Sequence, residues 1–134
     1  MKTRSAAERP PIHMLEDEAE KLANLALSVE ERLPQVSDLL LTEIDRAKLH
    51  KPGRIGKDVV TMNALVEFLD EASGTERTVT LVYPPDADID AGRISILTPI
   101  GAGLIGLKQG QSILWPDREG RKRMLEIKRV EQAA

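Results

Sequence analysis

The sequence predicts an α+β chain: a short antiparallel helical hairpin, then an antiparallel sheet domain carrying one short helix. Three observations predict it. Apolar residues recur at alternating steps of four and three over the first third of the chain. Lys51-Pro52-Gly53 interrupts that spacing, and beyond it apolar residues alternate with period two.

Residues 1–11 read as a flexible tail, because Pro10-Pro11 bars a helix from running through them. Leu15, Ala19, Leu22, Ala26, Val29 and Leu33 then share one helical stripe, close to a coiled-coil seam, and Pro34 stops that helix. A second helix begins at Gln35 or Ser37. Val36, Leu40, Ile44 and Ala47 form its stripe, and Leu39 and Leu41 widen it, which leaves room for a monomer or for weak self-association. The short connection folds the helices back on each other, giving a hairpin over 12–50 with Leu33, Pro34, Gln35 and Val36 at its tip. Residues 51–57 are a linker.

The sheet domain occupies 58–134. Val60, Met62, Ala64, Val66 and Phe68 alternate as a half-buried strand requires. Ala72-Ser73-Gly74 is a turn, and the β-branched run 78–83 returns as the second strand until Pro84-Pro85 ends it. A third strand spans 93–97. Pro99 suits the first turn of a short helix over 99–107, closed by Gly110. Strands over 112–115 and 124–130, joined by a polar turn at 117–120, complete five strands.

Composition narrows the function classes. The chain has 134 residues, enough for one or two small domains. Only 2% are aromatic, so the core must be built from Leu, Ile, Val and Met. A net charge of −3 argues against gripping nucleic acid by bulk charge, and no sequence-specific nucleic-acid contact is expected. The late basic cluster Arg118, Arg121, Lys122, Arg123, Lys128 and Arg129 reads as a solvated strand pair. With no cysteine, disulfides, thiolate nucleophiles and cysteine zinc sites are excluded. The N-terminus lacks the apolar core of a secretory signal, and no apolar run approaches the roughly 20 residues of a membrane span. A cytoplasmic protein without membrane contact is expected.

Several motifs fail on context. Gly101, Gly103 and Gly106 match G-x-G-x-x-G, but a hairpin follows where a dinucleotide site needs a full helix and a parallel strand. Glycines used for close packing are the better reading. Asp86, Asp88 and Asp90 imitate a calcium loop, yet Ala91 and Leu97 stand where glycine and glutamate are required. Gly53, Gly56 and Lys57 lack phosphate-loop spacing. His13 and His50 read as exposed residues at the edges of the hairpin. No catalytic constellation, metal site or cofactor is expected.

The run LVYPPDADIDAGRISILTPIGAGLIGL over 81–107 resembles the C-terminal domain of the Gre transcript-elongation factors, in which an acidic loop, a G-x-I-S strand and a Ser-Pro-(Ile/Leu)-Gly turn lead into a small-residue helix. SILWP and VVTMNALVEF extend the likeness over about 58–130. VVTMN, LVYP and the short hairpin look most like the Rnk group, the regulators of nucleoside diphosphate kinase. The resemblance implies an FKBP-like C-terminal domain behind a truncated coiled coil. It also implies a regulator that docks on RNA polymerase near the secondary channel. Thr98, Pro99, Ile100, Gly101 and Leu104 would form the docking surface. Gre factors carry acids at a long coiled-coil tip that help hold the polymerase's magnesium; here a helix of about 18 residues spans only roughly 27 Å, and the tip from Leu33 to Val36 has no acid. Binding without transcript cleavage is therefore expected. Gre turns also often place an aspartate where Leu97 precedes Thr98-Pro99. The alternatives are a Gre-like cleavage factor, or a prolyl isomerase, which would need an aromatic pocket that Phe68, Tyr83 and Trp115, on separate strands, do not supply.

Overall fold

The computed structural model describes residues 10–117 and 119–133. Most of the expected 1–11 tail, together with Arg118, lies outside them. At the end of that tail Pro10 is buried, and its carbonyl accepts a 2.7 Å hydrogen bond from Arg46 Nη1.

The chain opens with strand β1 (His13–Leu15), not with a helix. Ile12 and Met14 are buried while His13 and Leu15 are half-exposed, a period-two pattern inside the stretch predicted as helical. Helix α1 (Glu16–Ser28) follows. Glu16, Asp17 and Glu18 occupy its first turn, where negative charge complements the helix dipole. It ends five residues before the predicted stop at Leu33. Residues 29–33 reverse the chain, and Leu33, restricted by the following proline, takes an extended φ of −130°. Helix α2 (Pro34–Arg46) begins on Pro34 itself, because proline lacks only an N–H that the first turn leaves unpaired. Strand β2 (Lys48–His50) then pairs in parallel with β1.

Residues 59–64 do not form the predicted strand. Val59, Val60, Met62 and Ala64 are buried, but Val60 bonds to Leu107 and Gly106 rather than to a sheet neighbour. Asn63, at φ 68°, breaks the extended run. The sheet contains β3 (Leu65–Asp70), β4 (Thr75–Val82), β5 (Arg93–Ser95), β6 (Ser112–Pro116) and β7 (Lys122–Glu131), in the order β5-β4-β3-β7-β6. It is mixed, not antiparallel throughout: β5 runs parallel to β4. The crossover 83–92, with short 3-10 turns at Pro84–Asp86 and Ile89–Ala91, supplies the return that a parallel neighbour needs. Helix α3 (Pro99–Leu104) follows β5.

One core unites these parts. It contains Leu22, Ala26 and Leu40 of the helices, Val66, Phe68, Leu81, Ile113 and Ile127 of the sheet, and Ala102 and Leu104 of α3. The composition shift at 51–57 thus marks a change of local structure within a shared core. Leu39 and Leu41, which had suggested self-association, pack against that core. No helix among the described residues is long and apolar enough to cross a membrane.

Candidate partner-binding face

The turn between β5 and α3 is built from local side-chain bonds. Ser95 Oγ accepts from the Leu97 N–H at 3.0 Å. Thr98 Oγ1 donates to the Ser95 carbonyl at 2.8 Å and accepts from the Gly101 N–H at 3.0 Å, capping α3. The Pro99 carbonyl accepts a 2.5 Å bond from Trp115 Nε1, which ties the first turn of α3 to β6. The glycines are there for packing. A Cβ at Gly101 would overlap the Ser95 carbonyl, and one at Gly103 would lie 2.8 Å from the Trp115 indole. Gly106, at φ 83°, approaches the His13 carbonyl and Ile12.

This construction divides the five predicted contact residues. Pro99, Gly101 and Leu104 are buried, Leu104 with no exposed surface. Gly101 and Leu104 face inward on this six-residue helix, while Pro99, though buried, still borders the open groove beside Ile100. Thr98 and Ile100 remain partly exposed.

Ile100 lines an open groove of about 370 Å³. Ile94 and Pro99 share its apolar wall with Ile89, which is 82% exposed. Arginines stand at its edge. Arg93 lies 3.6 Å from Asp88 and donates to the Asp86 carbonyl, while Arg123 pairs with Asp70 at 3.0 Å. Arg77 sits over the Phe68 ring at 5.8 Å. The sequence reading did not assign Ile89, Arg77 or Arg123 to this site. They come from three separate segments, and the only local signal was an isoleucine inside an acidic run.

The start of α2 reaches the same neighbourhood. Gln35 Nε2 donates to the Asp117 carbonyl at 3.1 Å, and Asp117 also lines the groove. Val36 is buried. Of the predicted tip residues Leu33, Pro34, Gln35 and Val36, Pro34 and Gln35 are exposed, and Gln35 ties the start of α2 to Asp117. Because α1 ends at Ser28, Glu30 and Glu31 belong to the connecting turn and are exposed, beside the acid-free stretch from Leu33 to Val36.

The remaining sequence features find local explanations. Arg121, Arg123, Lys128 and Arg129 each have a carboxylate within ion-pair distance, so most of the basic cluster is charge-balanced among the described residues. Phe68 and Trp115 are buried in the core, whereas Tyr83 faces α1, with Lys21 Nζ 5.4 Å from its ring centre. The three aromatics do not converge. Glu18 Oε1 accepts from the Met62 N–H at 3.2 Å, and burial pushes its carboxyl above the ordinary range.

The family model described as "Transcription elongation factor, GreA/GreB, C-term" matches residues 55–132. The Escherichia coli protein named regulator of nucleoside diphosphate kinase is 38% identical over 96 residues, covering 72% of this chain and 71% of that protein. A transcription elongation factor GreA of Azorhizobium caulinodans is 31% identical, covering 84% of this chain and 77% of its own. A solved structure titled prokaryotic transcription elongation factor GreA/GreB from Nitrosomonas europaea is 39% identical and superposes with a TM-score of 0.71, covering 92% of this chain and all of that one.

Proposed function

The chain belongs to the GreA/GreB transcription elongation factor family, and from that premise we propose that it is a transcription regulator that binds RNA polymerase through the groove beside Ile100. The observation that carries this reading is the capped turn at Ser95, Thr98 and Pro99, braced by Trp115, which presents Ile100 in an apolar groove edged by arginines. Such a turn is already ordered before binding, so little conformational freedom is lost on docking. The groove suits a partner segment with a large apolar side chain beside carboxylates, since Arg77 at its edge has no carboxylate at ion-pair distance among the described residues. The balanced basic cluster gives no support to docking through nucleic acid. In this reading the sheet domain is the FKBP-like docking module, and α1 and α2 are a shortened antiparallel coiled coil.

Transcript cleavage is not part of the proposed activity. Each helix has 13 residues, about 20 Å at 1.5 Å per residue, and the first turn of α2 is bonded back to Asp117. One observation favours a second reading, a cleavage-stimulating factor: Glu30 and Glu31 are exposed in the turn between the helices. Two assays separate the readings. Core polymerase should co-purify with the chain, and Ile89→Asp, Arg77→Glu or Ile100→Asp should each weaken capture at least tenfold. Unchanged capture by all three variants would sink the assigned groove. RNA cleavage in a stalled elongation complex, stimulated by the chain and lost in Glu30→Gln/Glu31→Gln, would establish the second reading instead.

A further inference from the structure

The chain's only two histidines, 37 residues apart, meet where the helices are rooted. His13 Nδ1 lies 2.9 Å from His50 Nε2, with ring centres 5.1 Å apart. Both residues are half-buried. The sequence reading placed them as separate exposed residues. The parallel pairing of β1 with β2 brings them together, setting His13 opposite Lys48 and Leu15 opposite His50.

Three parts of the fold are joined at this point. The Lys48 N–H donates to the Ile12 carbonyl at 3.0 Å, holding β2 to β1. The His13 N–H donates to the Gly106 carbonyl at 3.0 Å, holding β1 to the segment after α3. The pair of rings spans the same seam. β1 leads directly into α1, and β2 follows α2 after a single residue.

A bond between two imidazole nitrogens needs one donor and one acceptor. It exists when both rings are neutral or when one is protonated. With two protonated rings, both facing nitrogens carry hydrogens, and like charges oppose each other. The surroundings favour that conflict. Lys48 on β2 and Lys108 after α3 add positive charge near His13, and Asp58 is the single carboxylate acting on it in the other direction. Glu16 and Lys51, just beyond the two strands, are 3.5 Å apart and pair with each other.

We propose that His13 and His50 form a proton-released latch: their bond closes the seam between β1 and β2, and protonation of both rings opens the root of the helix pair. The sign agrees with the surroundings of His13. Burial first, then His50 and the two lysines, hold its pKa below 6.5 in the folded chain. The unfolded chain therefore takes up the proton first, and the stabilisation present above pH 6.5 is lost as the pH falls from there towards the folded value. This latch is independent of the docking groove.

Amide hydrogen exchange on the full chain, expressed as protection factors at pH 7.5 and 5.5, tests it. Protection at Lys48 and His13 should fall severalfold between the two pH values. Protection at Leu81, whose N–H bonds to the Ala64 carbonyl inside the sheet domain, should hold. The His13→Gln/His50→Gln variant, in which the two side chains cannot titrate, should lose the differential change. Constant protection at Lys48 in the wild type would overturn the latch. So would an equal fall at Leu81, or the same differential fall in the double variant. If that variant does not fold, the wild-type comparison of Lys48 with Leu81 decides alone.

Discussion

Replacing Gly103 with alanine sets two opposing effects against each other inside α3. Alanine is favoured over glycine within a helix by about 0.5–1 kcal/mol. The new Cβ, however, would stand 2.8 Å from Cε2 and Nε1 of Trp115. That ring is 2% exposed, and its Nε1 is held by the Pro99 carbonyl, so it cannot swing aside without breaking a buried hydrogen bond. Overpacking of this kind costs about 1–3 kcal/mol. The steric effect should win, for a net loss of about 1–2 kcal/mol. With a urea dependence of roughly 2 kcal/mol per molar, the unfolding midpoint should drop by about 0.5–1 M. The companion experiment is the same substitution in a Trp115→Leu background. Removing the indole removes the obstacle, so Gly103→Ala should there be neutral or stabilising. The two changes should therefore couple by more than about 1 kcal/mol. A higher midpoint for Gly103→Ala in the wild-type background, or an equal effect in both backgrounds, would refute the packing account of this glycine.

Other outcomes follow from the same geometry. Thr98→Ala removes both bonds of the α3 cap and should cost about 1 kcal/mol in urea unfolding, whereas Thr98→Ser, which keeps a hydroxyl, should recover most of it. Gly106→Ala should lower the melting temperature, because it forces a side chain into a φ of 83° and against the His13 carbonyl; an unchanged melting temperature would contradict this. Glu18 titrates above its ordinary value of 4.5 because burial disfavours its carboxylate. The folded chain holds that proton longer than the unfolded chain, so Glu18 detracts from stability as the pH rises from 4.5 through the raised folded value. Glu18→Gln keeps an acceptor for the Met62 N–H and should remove that part of the pH dependence of the urea midpoint; an identical pH profile for the two proteins would show that burial of Glu18 has no such effect.

Much of the fold was legible along the chain. The stripe from Ala19 to Val29 and the stripe from Val36 to Ile44 identified both helices, and the alternation, β-branched and turn residues located α3 and all five sheet strands, the first of them begun too early. The errors share a cause. The four-and-three spacing through Leu15 concealed Ile12 and Met14, which alternate as a strand because Lys48 and Gly106 supply backbone partners. The alternation from Val60 to Ala64 suggested a strand, but Asn63 in the left-handed region ends the extended run, and all of 59–62 turns inward. At the turn between β5 and α3, sequence located the segment without separating its outward from its inward members. Pro99, Gly101 and Leu104 differ from Ile100 in being buried along the same six-residue helix.

By itself the sequence determined the class of the protein, the helix pair, the sheet strands, the short helix begun by Pro99, and the absence of cysteine chemistry, because each depends on residues close in the chain or on composition. The tertiary structure alone decided that β5 pairs in parallel with β4, that Ile89, Ile100 and Arg77 line one groove, that Gln35 reaches Asp117, and that His13 meets His50. Those contacts join residues separated by up to 82 positions. Local preferences carry no record of such pairings; shared burial in one core and the register of the strands create them.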